Sequence, residues 1–137
     1  MQKEKLKKGE VTRLAIEDAA LGLFLEQGYH ATSMRQIAKR AKLALGGIYN
    51  HFANKEEIFE AIIVDKHPYK RILPLVMEAE GETTEEFLRS AFQIAVSELK
   101  KEPVFIQIML IELVEFKGRH GASMLKEIAP KVLPNFE

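Results

Sequence analysis

The chain has 137 residues, of which 47% are hydrophobic, and its twenty Lys and Arg balance twenty Asp and Glu. This size suits one compact domain, or a small head domain on a larger helical body. The chain contains no cysteine, which excludes disulfides and thiolate metal sites and fits a reducing compartment. It has no apolar run of membrane-spanning length, and MQKEKLKKGE is not a signal peptide. We therefore expect a soluble, cytosolic protein with no membrane partner.

The net charge of zero hides a division along the chain. Residues 1–55 hold ten Lys and Arg against five Asp and Glu, whereas residues 56–137 hold ten against fifteen. A basic head on an acidic body fits a polyanion-binding module joined to a part that does not bind polyanions, although chance segregation would look the same. We predict two domains with these boundaries, a polyanion-binding head (1–55) and a body that does not bind polyanions (56–137).

Hydrophobic residues recur at helical spacing and no strand pattern is visible, so the predicted class is all-α. In the head we predict helices over residues 10–27 and 45–51, one that ends near residue 40 after a cap at Thr32 or Ser33, and one that follows a cap at Asn54.

In the body, Pro68 and Pro74 are expected to kink or break the chain. A capping box at Thr83 predicts a helix over 84–100. The next helix, 104–117, is apolar on nearly all sides, which predicts burial against several neighbours. A last helix is predicted over 122–133.

Residues 32–55 have the layout of a helix-turn-helix, in which two short helices flank a tight turn and the second lies in a DNA major groove. Ile37 and the small Ala38 face the partner helix, and Ile48 and Phe52 anchor the second helix to the core. The face opposite Ile48 is then free to meet DNA.

Several side chains near that free face are of the types that contact DNA. Glycines permit close approach of the backbone, and Tyr49 offers a ring to a thymine methyl and a hydroxyl to phosphate. Taken singly, His51 equally fits an ordinary half-buried histidine, and Lys55 a solvated charge. The predicted DNA-binding residues are Thr32, Ser33, Arg35, Leu45, Gly46, Gly47, Tyr49, Asn50, His51 and Lys55.

The segment from Arg13 to Phe59 resembles the N-terminal domain of the TetR family of transcriptional regulators. The resemblance is carried by Gly-Tyr, Thr-Ser, Ile-Ala and Tyr-x-His-Phe-x-x-Lys in combination, at Gly28, Tyr29, Thr32, Ser33, Ile37, Ala38, Tyr49, His51, Phe52 and Lys55. It implies a three-helix helix-turn-helix domain followed by a helical ligand-binding and dimerisation domain. It also implies a homodimeric repressor that is released from operator DNA by a small-molecule inducer.

Family chains usually end in two further helices that form the dimer interface, so we expect the C-terminal part of the body to be missing here. Four positions depart from the family pattern: Lys42 stands for a turn glycine, Ala44 for a polar cap, Leu45 for a polar residue and Gly47 for a small hydroxyl residue. The first two each cost about 1 kcal/mol. We expect them to affect the operator sequence and affinity more than the DNA-binding role.

The inducer is expected to be apolar or amphipathic and to bind after residue 60, although a stripe of Met and aromatic residues is equally typical of a core. Glu112 is a carboxylate within an apolar run, and if buried it needs a partner or a cationic ligand. The candidate ligand-binding residues are Met77, Phe87, Phe92, Phe105, Met109, Glu112 and Phe116.

An enzyme is the first competing class, but the sequence has no paired carboxylates, no nucleophile with a base and no Gly-rich phosphate loop. The four histidines are scattered, so we predict no metal site and no cofactor. The remaining alternative is a helical protein-interaction module that has lost specific DNA binding.

Overall fold

The computed structural model describes residues 7–132, which form eight α-helices and no strand. The helices are α1 Lys8–Gln27, α2 Met34–Arg40, α3 Leu45–Tyr49, α4 Lys55–Lys66, α5 Tyr69–Met77, α6 Thr84–Leu99, α7 Pro103–Phe116 and α8 Arg119–Val132. The all-α prediction is confirmed. Residues 1–6, and Leu133 at the predicted end of the last helix, lie outside the described residues.

The chain divides into two compact units, the first ending at Ile62 and the second beginning at Ile63. This division falls within α4, seven residues after the boundary predicted from the sequence. The first turns of α4 belong to the first unit because they carry the fully buried Ile58 and Phe59. The Phe59 ring lies 6.1 Å from that of Phe24, between ring centroids.

Two helices begin at a reciprocal capping box. At α2, the Ser33 hydroxyl accepts from the backbone N–H of Gln36 at 3.1 Å, and the Gln36 side chain accepts from the backbone N–H of Ser33 at 2.9 Å. Thr83 and Glu86 make the same pair of bonds at α6. The predicted box at Thr83 is therefore confirmed, and the cap of α2 is Ser33. Such caps stabilise a helix by roughly 1 kcal/mol because they satisfy backbone donors that have no partner within the helix.

The two prolines after α4 behave differently. Pro68 is the N-cap of α5 and separates it from α4, as predicted, whereas Pro74 lies inside α5, which continues to Met77. Proline removes only one backbone donor from a helix, and here the helix is not interrupted. The predicted break therefore occurs at Pro68 alone.

In the second unit, α5 packs on α6, α6 on α7 and α7 on α8. Its buried apolar residues include Ile72, Ala91, Phe105 and Ile108. The prediction that α7 is buried against several neighbours holds for one side of the helix, which packs on α6 and α8. Five of its apolar side chains are between 40% and 71% exposed, namely those of Val104, Ile106, Leu110, Leu113 and Val114.

A buried ionisable pair joins the end of α7 to the start of α8. Glu112 and His120 are 5% and 6% exposed. One carboxylate oxygen of Glu112 accepts from the backbone N–H of His120 at 2.7 Å, and the other lies 2.7 Å from His120 Nδ1. Lys117 makes the turn between the helices in a left-handed conformation, with φ 54°. The Glu112 carboxylate is thus used within the fold.

Candidate functional site

The predicted helix-turn-helix is present in the first unit. Ile37, Ala38, Ile48 and Phe52 are each 2% exposed or less, so the predicted packing positions are confirmed as core. The backbone N–H of Leu43 donates to the carbonyl of Ala38 at 2.9 Å and closes the turn. The side chains of α1 that complete this core are Ile16, Ala19, Ala20 and Phe24.

Two arginines tie α1 to the other elements of the first unit. The Arg13 guanidinium lies 4.4 Å from the ring centroid of Phe52, just after α3. Arg40 at the end of α2 donates two 2.7 Å bonds to the Glu26 carboxylate on α1, and these bonds hold the pKa of Glu26 below its ordinary value. The Arg40 charge is therefore paired with Glu26 at the surface, and this ion pair links the end of α2 to α1.

Thr32 and Lys55, predicted to contact phosphate, bond within the protein to the loop between α1 and α2. Thr32 is 3% exposed and its hydroxyl donates to the carbonyl of Gly28 at 2.8 Å. Lys55 Nζ donates to the carbonyls of Tyr29 and Thr32 at 2.7 and 3.0 Å, and it lies 4.1 Å from the centroid of the Tyr29 ring. Both side chains satisfy carbonyls that follow the end of α1, so their geometry is that of positioning residues.

The other predicted DNA-binding residues lie on α2 and α3 or next to them, and most are accessible. Tyr49 is 50% exposed, and a Cβ added at Gly46 would meet nothing within 4 Å. The exposed members are Ser33, Arg35, Gly46, Tyr49 and Asn50, and the half-buried ones are Leu45, Gly47 and His51. The face of α3 thus offers a ring, a hydroxyl, an amide and open backbone to a partner.

Lys42 and Ala44, which depart from the family pattern at the turn, have the geometry expected of them. Lys42 adopts a left-handed conformation with φ 60°, and the side chain of Ala44 makes no capping hydrogen bond to α3. The third helix spans Leu45–Tyr49 and ends two residues before the predicted end at His51. An uncapped helix of five residues depends on the packing of Ile48 for its stability.

Lys42→Gly is expected to raise the free energy of unfolding by about 0.5–1 kcal/mol. Glycine removes the strain of the left-handed conformation in the folded protein, and this gain is larger than the cost of the added freedom of glycine in the unfolded chain. Lys39→Gly, at an exposed position in the last turn of α2, is the matched control and should lower the free energy of unfolding by up to about 1 kcal/mol. Urea unfolding followed by circular dichroism measures both. Equal losses in the two variants would contradict the argument.

The second unit contains a cavity of about 400 Å³ between α5, α6 and α7. Two predicted ligand-binding residues, Phe105 and Met109, line it. The other lining residues are His67, Tyr69, Ile72, Leu73, Val76, Ala95 and Leu99. His67 and Tyr69 were missed from the sequence, where the available signal was a pair of polar rings flanking Pro68 directly after α4.

The remaining five candidate ligand residues do not line this cavity. Met77 and Phe92 are 63% and 70% exposed, and Phe87 is half-buried. Phe116 packs its ring 4.6 Å from that of His120, next to the carboxylate of Glu112. Helical spacing showed that these residues lie in helices with apolar side chains. It did not show which face of each helix lines the cavity.

The polar groups at the cavity wall are arranged around His67. Its Nδ1 accepts from the backbone N–H of Tyr69 at 3.1 Å, so in the neutral ring the proton is on Nε2. Burial lowers the pKa of His67 because desolvation disfavours the charged form. The His67 ring packs edge-on against Phe105, with 4.8 Å between centroids. This wall therefore carries a neutral hydrogen-bond donor.

Residues 16–62 match the family model for bacterial regulatory proteins of the tetR family. The chain is 42% identical over 53 residues to the HTH-type transcriptional regulator UidR of Escherichia coli K12, a match that covers 39% of this chain and 27% of UidR. The chain thus matches about a quarter of the length of this curated relative, and the matched part is the helix-turn-helix region.

Two solved structures extend the similarity beyond this region. NalD of Pseudomonas aeruginosa is 28% identical, with a TM-score of 0.57, and the match covers 94% of this chain and 71% of NalD. A transcriptional regulator of the TerR/AcrR family from Aquifex aeolicus VF5 is 30% identical, with a TM-score of 0.55, and the match covers 90% of this chain and 74% of that one. The chain belongs to the TetR family.

Membership of the TetR family confirms the resemblance read from the sequence. The relatives that the chain matches are helix-turn-helix transcriptional regulators, which are not enzymes. DNA binding, dimerisation and ligand binding are typical of the family. Across residues 7–132, no helix is long and apolar enough to cross a membrane. The same residues contain no cluster of His, Asp and Glu able to hold a metal ion.

Proposed function

We propose that this TetR-family member is a ligand-responsive repressor. It binds operator DNA as a homodimer in the cytoplasm, and it leaves the DNA when an apolar or amphipathic small molecule occupies the cavity of the second unit. The observation that carries the proposal is the exposed face of α3, held on a buried helix-turn-helix core in the segment that matches the family. NalD is described as a secondary repressor of a multidrug efflux pump, which supports repression as the direction of control.

On DNA, α3 enters the major groove. Tyr49 and Asn50 contact base edges there, and the open backbone at Gly46 allows close approach. Ser33 and Arg35 at the start of α2 contact phosphates and set the register. In a homodimer the two reading helices bind successive major-groove turns, about 34 Å apart.

Release from DNA is proposed to act through α4. His67, at the cavity wall, directly follows the last residue of α4, and Lys55, its first residue, holds the loop that leads into α2. A ligand shifts the equilibrium between DNA-binding and released states only by its difference in affinity for the two. The proposed ligand therefore binds the released arrangement more tightly.

Duplex DNA from upstream of the protein's own gene is the first binding test, measured by fluorescence anisotropy with the complete chain. Affinity is expected to fall by about a factor of 10³ or more between roughly 50 and 200 mM salt, because phosphate contacts release counterions. Tyr49→Ala should weaken binding to the preferred site roughly tenfold, with a smaller loss on unrelated duplex.

Arg35→Met serves as the comparison, since it should weaken binding on both duplexes alike and reduce the salt slope by about one. No binding to the upstream DNA at low salt would defeat the repressor proposal and favour the alternative, a helical protein-interaction module.

A further inference from the structure

We infer that the cavity takes an uncharged, largely apolar molecule carrying one hydrogen-bond acceptor, such as an aryl ketone, and that the ring N–H of His67 binds this acceptor. The inference deepens the proposed function, since it names the class of ligand for the same cavity. The size of the cavity, about 400 Å³, lies within the range usual for small-molecule sites, roughly 300–1,000 Å³.

The cavity offers no partner for a cation. None of the described residues that line the cavity carries a carboxylate. The side-chain nitrogen and oxygen atoms among these residues belong to His67 and Tyr69. Glu112, the acidic residue within the apolar sequence of α7, is bound by both of its oxygens to His120 and does not line the cavity. A positively charged ligand would therefore lose its hydration without a compensating charge.

An anion is disfavoured by the state of His67. Its Nδ1 is occupied as an acceptor by the backbone N–H of Tyr69, and burial favours the neutral ring. The neutral ring presents one donor, Nε2–H, beside the aromatic ring of Phe105. The other polar group of the lining is the Tyr69 hydroxyl, which is also neutral. Neutral donors among apolar side chains favour an acceptor on an otherwise apolar molecule.

Three naphthalenes of similar shape test this selection by isothermal titration calorimetry on the complete chain at neutral pH. 2-Acetylnaphthalene has an acceptor, 2-ethylnaphthalene lacks one, and 2-naphthylmethylamine is a cation at this pH. We expect the ketone to bind about fivefold more tightly than the hydrocarbon, the factor that one net hydrogen bond contributes. The cation should bind at least about tenfold more weakly than the hydrocarbon.

His67→Phe keeps an aromatic ring but has no donor, and it should bring the ketone down to the affinity of the hydrocarbon. Retained binding of 2-ethylnaphthalene by this variant shows that the cavity is still formed. His30→Phe, the same substitution at an exposed position of the first unit, is the matched control and should leave the ketone preference unchanged.

The inference is overturned if His67→Phe keeps the ketone preference, if the cation binds as well as the hydrocarbon, or if neither neutral compound binds. These titrations contain no DNA, so they are independent of the repressor proposal. A chain that selects the ketone but binds no DNA keeps this inference and loses the repressor function. A chain that binds DNA but none of the naphthalenes keeps the repressor function and loses this inference.

Discussion

Replacing Lys55 with methionine is expected to lower the free energy of unfolding by about 2–3 kcal/mol. Methionine keeps the unbranched apolar stem but has no ammonium group. The carbonyls of Tyr29 and Thr32 then lose the charged donor that lies 2.7 and 3.0 Å away. A hydrogen bond to a charged group contributes roughly 1.5–3 kcal/mol net, and the sum is discounted here because Lys55 is only half-buried. The contact of the ammonium with the Tyr29 ring is also lost.

Urea unfolding followed by circular dichroism measures the loss, and Lys39→Met provides the control. Lys39 is exposed on α2, so its substitution should change stability by no more than about 0.5 kcal/mol. If the two variants are equally stable, Lys55 does not position the loop. The phosphate contact predicted from the sequence is then its remaining role.

Glu112→Ala is expected to destabilise the second unit by about 3 kcal/mol or more, because each buried donor left without an acceptor costs roughly 1–3 kcal/mol. The substitution takes away the acceptor that Glu112 provides to both the backbone N–H and the imidazole of His120, at 2.7 Å each. It also leaves a void between α7 and α8. Glu112→Gln should cost less, since the amide oxygen still accepts from the backbone.

Thermal unfolding of the complete chain measures these effects. Glu127→Ala, an exposed glutamate of α8, is the matched control and should move the midpoint little. A double substitution that also removes His120 completes the cycle, and its cost should be clearly less than the sum of the single costs because the two residues interact directly. Additive costs would show that the pair does not act as a unit.

The Glu112 result bears directly on ligand selection. A carboxylate in an apolar helix needed either a partner or a cationic ligand, and the structure supplies a partner, His120. If Glu112→Ala lowers the stability of the second unit but leaves the ligand-charge preference of the folded protein unchanged, the carboxylate serves the fold. Selection among ligands is then assigned to His67 and the apolar wall around it.

The helix-turn-helix core was predictable from the sequence because its determinants are local. Small and apolar side chains at Ile37, Ala38 and Ile48 recur at the spacing that two short crossing helices require, and all three are buried. The caps at Ser33 and Thr83 follow the same logic, since a capping residue bonds to backbone only three residues away. The left-handed Lys42 was also foreseen, from its place in the turn.

The roles of Thr32, Lys55, Glu112 and His67 were decided by the tertiary structure. Lys55 reaches carbonyls beyond α1 from 23 and 26 residues away. Thr32 and His67 bond to backbone only four and two residues away, but their burial and their neighbours depend on packing. A donor suited to phosphate is equally suited to a carbonyl, so residue type alone does not choose between them.

Helical spacing likewise marked α7 as apolar, but only packing showed which side chains face the cavity. Phe105 and Met109 line it, while Leu113 and Val114 face outwards. The sequence by itself therefore determined the fold class and the DNA-binding core, and the three-dimensional arrangement decided which polar groups serve the fold and which are available to bind.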